Sequence, residues 1–179
     1  MADFKGGVDF SYVWQEFAYI ITEETKLLVL LNHLADTLEE RKRLFKKVDA
    51  TNITEYREKS GDYMQRIVFA CDEVAELLDK TGADKARKEL LAQIEARLAL
   101  IARQGRAFGI HLILATQRPD ANILPGQIKN NMNIRICGRA DTTLSTIIIG
   151  DGRAAEQVPH DARGVLDGRW YGVSGVLFQ

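Results

Sequence analysis

Two short, almost uninterrupted apolar runs, each ending abruptly in polar residues, constrain this chain more than any other feature. Residues 66–71, Arg-Ile-Val-Phe-Ala-Cys, lead into Asp72-Glu73, and Ile110 to Ala115 leads into Thr116-Gln117-Arg118-Pro119-Asp120. Such runs suit strands buried on both faces of a parallel sheet better than alternating surface strands. Between them Leu90, Ile94, Leu98 and Ile101 keep a 3.6-residue period, which predicts a helix from about Lys85 to Arg106. Strand, long helix, strand is the order that a right-handed parallel crossover demands.

The remaining elements extend the same pattern. Leu27, Leu31, Leu34 and Leu38 fall on one face of an amphipathic helix from Glu23 to about Val48, whose continuation Glu39-Glu40-Arg41-Lys42-Arg43 is polar. Ile134 to Cys137 is a third apolar run, and Gly172 to Phe178 reads as a late strand after the Asp167-Gly168 turn. The expected architecture is an α/β three-layer sandwich with a mostly parallel sheet. With 179 residues, three prolines and no repeat, residues 1–179 read as a single domain.

Composition removes several classes of function. A chain that is 46% apolar and 27% charged is not disordered, and this length buries about 70% of the unfolded surface. Twenty-four Lys and Arg against 25 Asp and Glu exclude a polybasic tail and leave any nucleic-acid contact to local basic loops. Stretches such as Leu27 to Leu31 fall far short of the roughly 18 apolar residues of a membrane span. The start, Met1-Ala-Asp-Phe-Lys-Gly-Gly7, lacks a secretory apolar core and reads as a cut end. No direct membrane contact is expected from this segment. Cys71 and Cys137 lie in apolar runs without metal-ligand spacing, which predicts two buried thiols in a reducing cytosol. His33, His111 and His160 have no partner at ligand spacing and read as structural.

Candidate chemistry sits at the ends of the first two strands. In an open parallel sheet, ligands bind beyond the carboxyl ends of strands. Asp72 in that position can hold Mg²⁺ through water, and Glu73 can orient or deprotonate an attacking water in phosphoryl transfer. Acidic residues there also commonly cap the next helix. Thr116 and Gln117 can hydrogen-bond a terminal phosphate or its attacking water, while Pro119 and Asp120 suit the start of a helix. An ordinary strand-to-helix loop explains the same residues.

The stretch Arg106-Ala-Phe-Gly109-Ile-His111-Leu-Ile-Leu-Ala-Thr-Gln-Arg-Pro119, followed by Ile123-Leu-Pro-Gly126-Gln-Ile-Lys129-Asn and Arg135, resembles the FtsK/SpoIIIE motor domain. Asp3-Phe4-Lys5-Gly6 is similar to the family's segment leaving the strand after the P-loop helix, and Glu39 to Phe45 to its basic helix before the Walker B strand. Gly138-Arg139-Ala140-Asp141 and Arg163-Gly164 look more like relatives carried by mobile conjugative elements. The resemblance implies a RecA-like P-loop ATPase, using ATP and Mg²⁺, assembled with its own subunits as a hexameric ring around double-stranded DNA. It makes Asp72 the Walker B magnesium carboxylate, Glu73 the catalytic base and Gln117 the sensor of the terminal phosphate, with Thr116 beside it. It makes Arg41 a candidate for an arginine reaching the neighbouring subunit's site, although a solvated basic face explains Arg41, Lys42 and Arg43 equally. The loop Lys80-Thr-Gly-Ala-Asp-Lys85, with Arg87 and Lys88, falls where the family faces DNA; a plain glycine turn is the alternative.

No G-x-x-x-x-G-K-[ST] occurs. The expectation is therefore a C-terminal portion of the motor domain, from Walker B onwards and incomplete on its N-terminal side. Such a chain is expected to be inactive alone and cytoplasmic, with any membrane anchor of a parent lying elsewhere. In RecA-like sheets the P-loop strand separates the sensor strand from the next one. Its absence predicts that Ile110 to Ala115 pairs directly with Ile134 to Cys137, or that chains associate, since open apolar edges recruit partners. Two alternatives are a secretion-type motor that moves protein and a P-loop-less interaction module.

Overall fold

The computed structural model describes residues 1–4, 12–117, 125–158 and 176–178. Three parallel strands form its centre: β1 (Ala2–Asp3), β2 (Ile67–Asp72) and β3 (Ile110–Ala115). Between β1 and β2 run α1 (Glu24–Lys47) and α2 (Ile53–Ser60); between β2 and β3 run α3 (Val74–Leu78) and α4 (Lys85–Gln104). Two crossovers in the same direction with the same right hand place α1 and α4 on one face of the sheet.

The leucine stripe explains why α1 lies where it does. Leu27, Leu31, Leu34 and Leu38 are buried together with Leu91, Ile94, Leu98 and Ile101 of α4 and with Phe69, Cys71, Ile110, Leu112 and Leu114 of the strands. Full burial of each such side chain contributes about 1.5–3 kcal/mol. Burial alternates along both strands: Phe69 and Cys71 point into this core, whereas Val68 is 56% exposed on the other face. The expectation that both faces of β2 are buried is thus corrected. Among the described residues, the helical layer covers one face, and the opposite face is half open.

A second cluster fastens the lower end of α1. Phe45 stacks on Tyr56 of α2 with ring centroids 4.8 Å apart and meets Phe108 at 5.0 Å. Asn52 caps α2 by accepting from Thr54 N and Glu55 N at 3.0 and 3.1 Å. Gly109 follows Phe108 with φ of +73°, and a Cβ there would come within 2.4 Å of Ile53 Cδ1. Only glycine satisfies both the left-handed turn and the approach of α2.

The sheet continues through α5 (Gly126–Lys129), β4 (Ile134–Ile136), α6 (Thr142–Ile149), α7 (Arg153–Gln157) and β5 (Val176–Phe178). Strand order is β1-β2-β3-β5-β4, with β5 antiparallel to both β3 and β4. The open edge of β3 is therefore closed by the late strand, not by direct pairing with Ile134–Ile136 as expected. Leu114 pairs Leu177, and Leu177 in turn pairs Arg135. Among the described residues, no helix is long and apolar enough to cross a membrane.

Candidate functional site at the tips of the central strands

The register of β2 on β3, Cys71 opposite Leu114, carries the two chains onward so that the residues just past the strands also meet. Glu73 leaves β2 with φ 52° and ψ 55°, the left-handed region, which costs a non-glycine residue about 1–2 kcal/mol. What holds it there is on the neighbouring tip. Thr116 Oγ1 donates to Glu73 Oε1 at 2.5 Å, and Gln117 N donates to Oε2 at 2.9 Å and to Oε1 at 3.2 Å. Glu73 is only 6% exposed and Thr116 2%. A buried carboxylate held by a hydroxyl and a backbone amide is oriented, and its unbonded lone pairs have a fixed direction.

Asp72 ends β2 and is half-buried, one residue before this clamp. Asp3 lies opposite it in the β1–β2 register and is buried, so acidic groups stand at adjoining strand tips. The role of Asp3 was not read from the sequence; its place after Ala2 in a two-residue strand gives no periodicity to find it by. Both aspartates make further interactions. Among the described residues, no three carboxylate, histidine or cysteine groups converge as a metal cage. Asp72 instead suits Mg²⁺, which keeps several waters and takes one or two carboxylates plus phosphate oxygens. Cys71, behind this edge, is fully buried; burial pushes its thiol well above the usual range, and the charges of Asp72 and Glu73 add to the effect. It is a packing residue at neutral pH.

Asp72, Glu73, Thr116 and Gln117 are thus brought together. Arg118, Pro119 and Asp120 lie outside the described residues, as do Lys5, Gly6, His160, Arg163 and Gly164. Arg41 is not at this edge. Its Nη1 donates to Phe108 O at 2.7 Å and its Nη2 to Gln65 O at 2.8 Å, and the residue is 7% exposed. This guanidinium ties α1 to the segments entering β2 and β3. Its missed signal was spacing, since Leu34, Leu38, Arg41 and Phe45 continue one buried stripe.

The four basic residues after α3 divide into two pairs. Lys80 Nζ lies 2.7 Å from Glu95 Oε2, and Arg87 is bonded to Glu24 through Nη2 at 2.9 Å. Their charge is largely neutralised within the fold. Lys85 is 92% exposed and only 3.9 Å from Glu89, and Lys88 is exposed. Both stand on the first turn of α4, at the end of the molecule that carries the strand tips.

The FtsK/SpoIIIE family model matches residues 12–121. This chain belongs to the FtsK/SpoIIIE family. Among curated relatives, the protein named DNA translocase FtsK from Campylobacter jejuni is 32% identical over 143 residues, covering 78% of this chain and 14% of that protein. Its namesake from Chlorobaculum tepidum is 33% identical over 140 residues, covering 78% and 16%. The chain therefore spans about one-sixth of these FtsK/SpoIIIE relatives. Among solved structures, the pCW3 conjugation coupling protein TcpA, a monomer form with ATPgS, has a TM-score of 0.86 at 37% identity and is matched over 98% of this chain and 51% of that one. EssC from Geobacillus thermodenitrificans (ATPases 2 and 3) has a TM-score of 0.62 at 18% identity over 90% and 28%, a likeness of fold. These neighbours make the architecture that of the family's P-loop ATPase motor domains.

Proposed function

We propose that this chain supplies the magnesium and sensor edge of an ATP-driven motor that moves double-stranded DNA, acting in a ring of like subunits. The single observation that carries the reading is the Glu73 clamp: the tips of β2 and β3 are tied by Thr116 and Gln117, so an acid and a sensor share one crevice. Asp72 would hold Mg²⁺ through water, and the ion would supply neutralisation of charge on the phosphates. Glu73, held by two donors, accepts the proton of the attacking water. Gln117, anchored by its own N–H and exposed at its side chain, reports on the terminal phosphate.

The sequence contains no P-loop, so the phosphate cradle belongs to residues outside this chain, and the chain alone does not turn over ATP. Lys85 and Lys88 are exposed cations placed to meet a DNA backbone beside this edge; Lys80 and Arg87 brace the loop that presents them. Similarity to relatives named DNA translocase supports DNA as the moved polymer, and the likeness to a conjugation coupling protein supports transfer between cells. The EssC likeness, one of fold, does not bear on substrate.

The test is steady-state ATP hydrolysis by a chain extended upstream through a G-x-x-x-x-G-K-[ST] segment, with and without duplex DNA. Stimulation by duplex is expected. Turnover that ignores duplex but rises with an exported polypeptide overturns the DNA reading.

A further inference from the structure

Glu73 and Thr116 each stand two residues past the last register pair of their strands, Cys71 opposite Leu114, so their side chains meet across the two tips. The two oxygens of the Glu73 carboxylate are held differently. Oε1 accepts from Thr116 Oγ1 at 2.5 Å and, at the longer distance of 3.2 Å, from Gln117 N. Oε2 accepts from Gln117 N at 2.9 Å and, among the described residues, from nothing else. Thr116 is 2% exposed, so its hydroxyl serves the carboxylate and is shut off from a ligand in the crevice. Gln117 faces both ways: its N–H is turned onto Glu73, while the residue is exposed at the strand tip.

These two attachments respond differently to a pull on Gln117. The Thr116–Gln117 peptide is a rigid plane, so drawing Gln117 towards an anion beyond the tip turns its N–H away from Oε2. The Thr116 hydroxyl rotates about its own side-chain bond and follows Oε1. Backbone conformation supplies the second state. Glu73 is kept at φ 52° against the left-handed penalty by these same bonds, and loss of one favours movement of the acid.

From this geometry we infer that Thr116 is a positioning residue that keeps Glu73 in place through Oε1, and that Gln117 N–H is a gate over Oε2, opened when the Gln117 side chain takes a terminal phosphate. Without nucleotide, Oε2 is covered and the base is idle. A triphosphate selects the open state because only there does the Gln117 amide reach it; a diphosphate offers that amide nothing and leaves the gate shut. Sensing and uncovering of the base are then one movement, and water meets a base only when its target is in place. The inference rests on the base and sensor roles proposed above and adds the regulation of that site.

The test uses the chain extended upstream through a G-x-x-x-x-G-K-[ST] segment, with the Gln117 amide isotope-labelled for NMR. Its proton resonance, downfield while it donates to a carboxylate, is expected to move upfield with a non-hydrolysable ATP analogue and to stay in place with ADP. Thr116→Val is expected to slow single-turnover hydrolysis about 10²-fold with binding of the analogue unchanged, and Thr116→Ser, which keeps the hydroxyl, to restore the rate. In a Glu73→Gln background Thr116→Val is expected to add nothing further, because it acts only through the lost carboxylate. Circular dichroism checks that Thr116→Val folds, and the amide measurement on the unaltered chain does not depend on it. An amide that responds to neither nucleotide, or to both alike, overturns the gate. Weaker analogue binding in Thr116→Val, or a loss that adds to that of Glu73→Gln, overturns the positioning role. Those results leave the motor reading standing; it fails separately if Glu73→Gln alone hydrolyses ATP at the unaltered rate.

Discussion

At the scale of single residues, the left-handed Glu73 and its two donors define the site. Thr116→Val removes the hydroxyl that donates to a buried carboxylate and is expected to destabilise the fold by about 1–3 kcal/mol, whereas Thr116→Ser stays near neutral. Urea denaturation of the two variants checks this. Arg41 makes a contrasting prediction. Arg41→Gln loses two charge-assisted bonds to Phe108 O and Gln65 O, each worth about 1.5–3 kcal/mol, so it appears as lost stability. A variant of full stability that selectively slows ATP turnover in the assembled motor contradicts that assignment. His111 gives a pH signature. Its folded pKa lies below the ordinary 6.5, so the unfolded chain binds the proton first. Stability is fully present above about pH 6.5 and falls as pH drops through the folded pKa. In His111→Gln that part of the acid slope disappears, which thermal melts across this range measure.

At the scale of elements, α1 against α4 is the joint on which the strand tips depend. Leu31, fully buried between them, predicts a loss of about 2–5 kcal/mol on Leu31→Ala. The two helices, β2 and β3 were legible in the sequence because each has a local signature: a leucine period of 3.6 or an apolar run cut off by polar residues. The pairing of Asp72-Glu73 with Thr116-Gln117 followed from that order, since adjacent parallel strands deliver their carboxyl ends to one edge. What was not legible is non-local. Arg41 reads as surface within a basic run until the buried stripe through Leu38 and Phe45 is traced. Arg87 is neutralised by Glu24, 63 residues away, and Lys80 by Glu95, so neither pairing leaves a mark in its own neighbourhood. β5 has three residues, and the sequence holds nothing to say that they enter between β3 and β4.

For the whole molecule, that late strand decides solution behaviour. β5 covers one edge of β3 and one of β4 with few residues. Removing residues 176–179 is expected to expose an apolar strand edge and drive self-association, seen as a rise in scattering mass with concentration. A monodisperse shortened chain contradicts the place given to β5. The molecule as a whole is polarised along its strands. One end carries Asp72, Glu73, Thr116 and Gln117, the groups proposed for phosphoryl chemistry; the other carries Arg66, Arg103 and Arg106. The central claim is that the first of these ends is half of a nucleotide site. Its most direct test is Glu73→Gln in the chain extended through a P-loop, measured by ATP binding and single-turnover hydrolysis side by side. The account predicts retained binding with hydrolysis slowed about 10²–10⁴-fold; hydrolysis at an unchanged rate contradicts it.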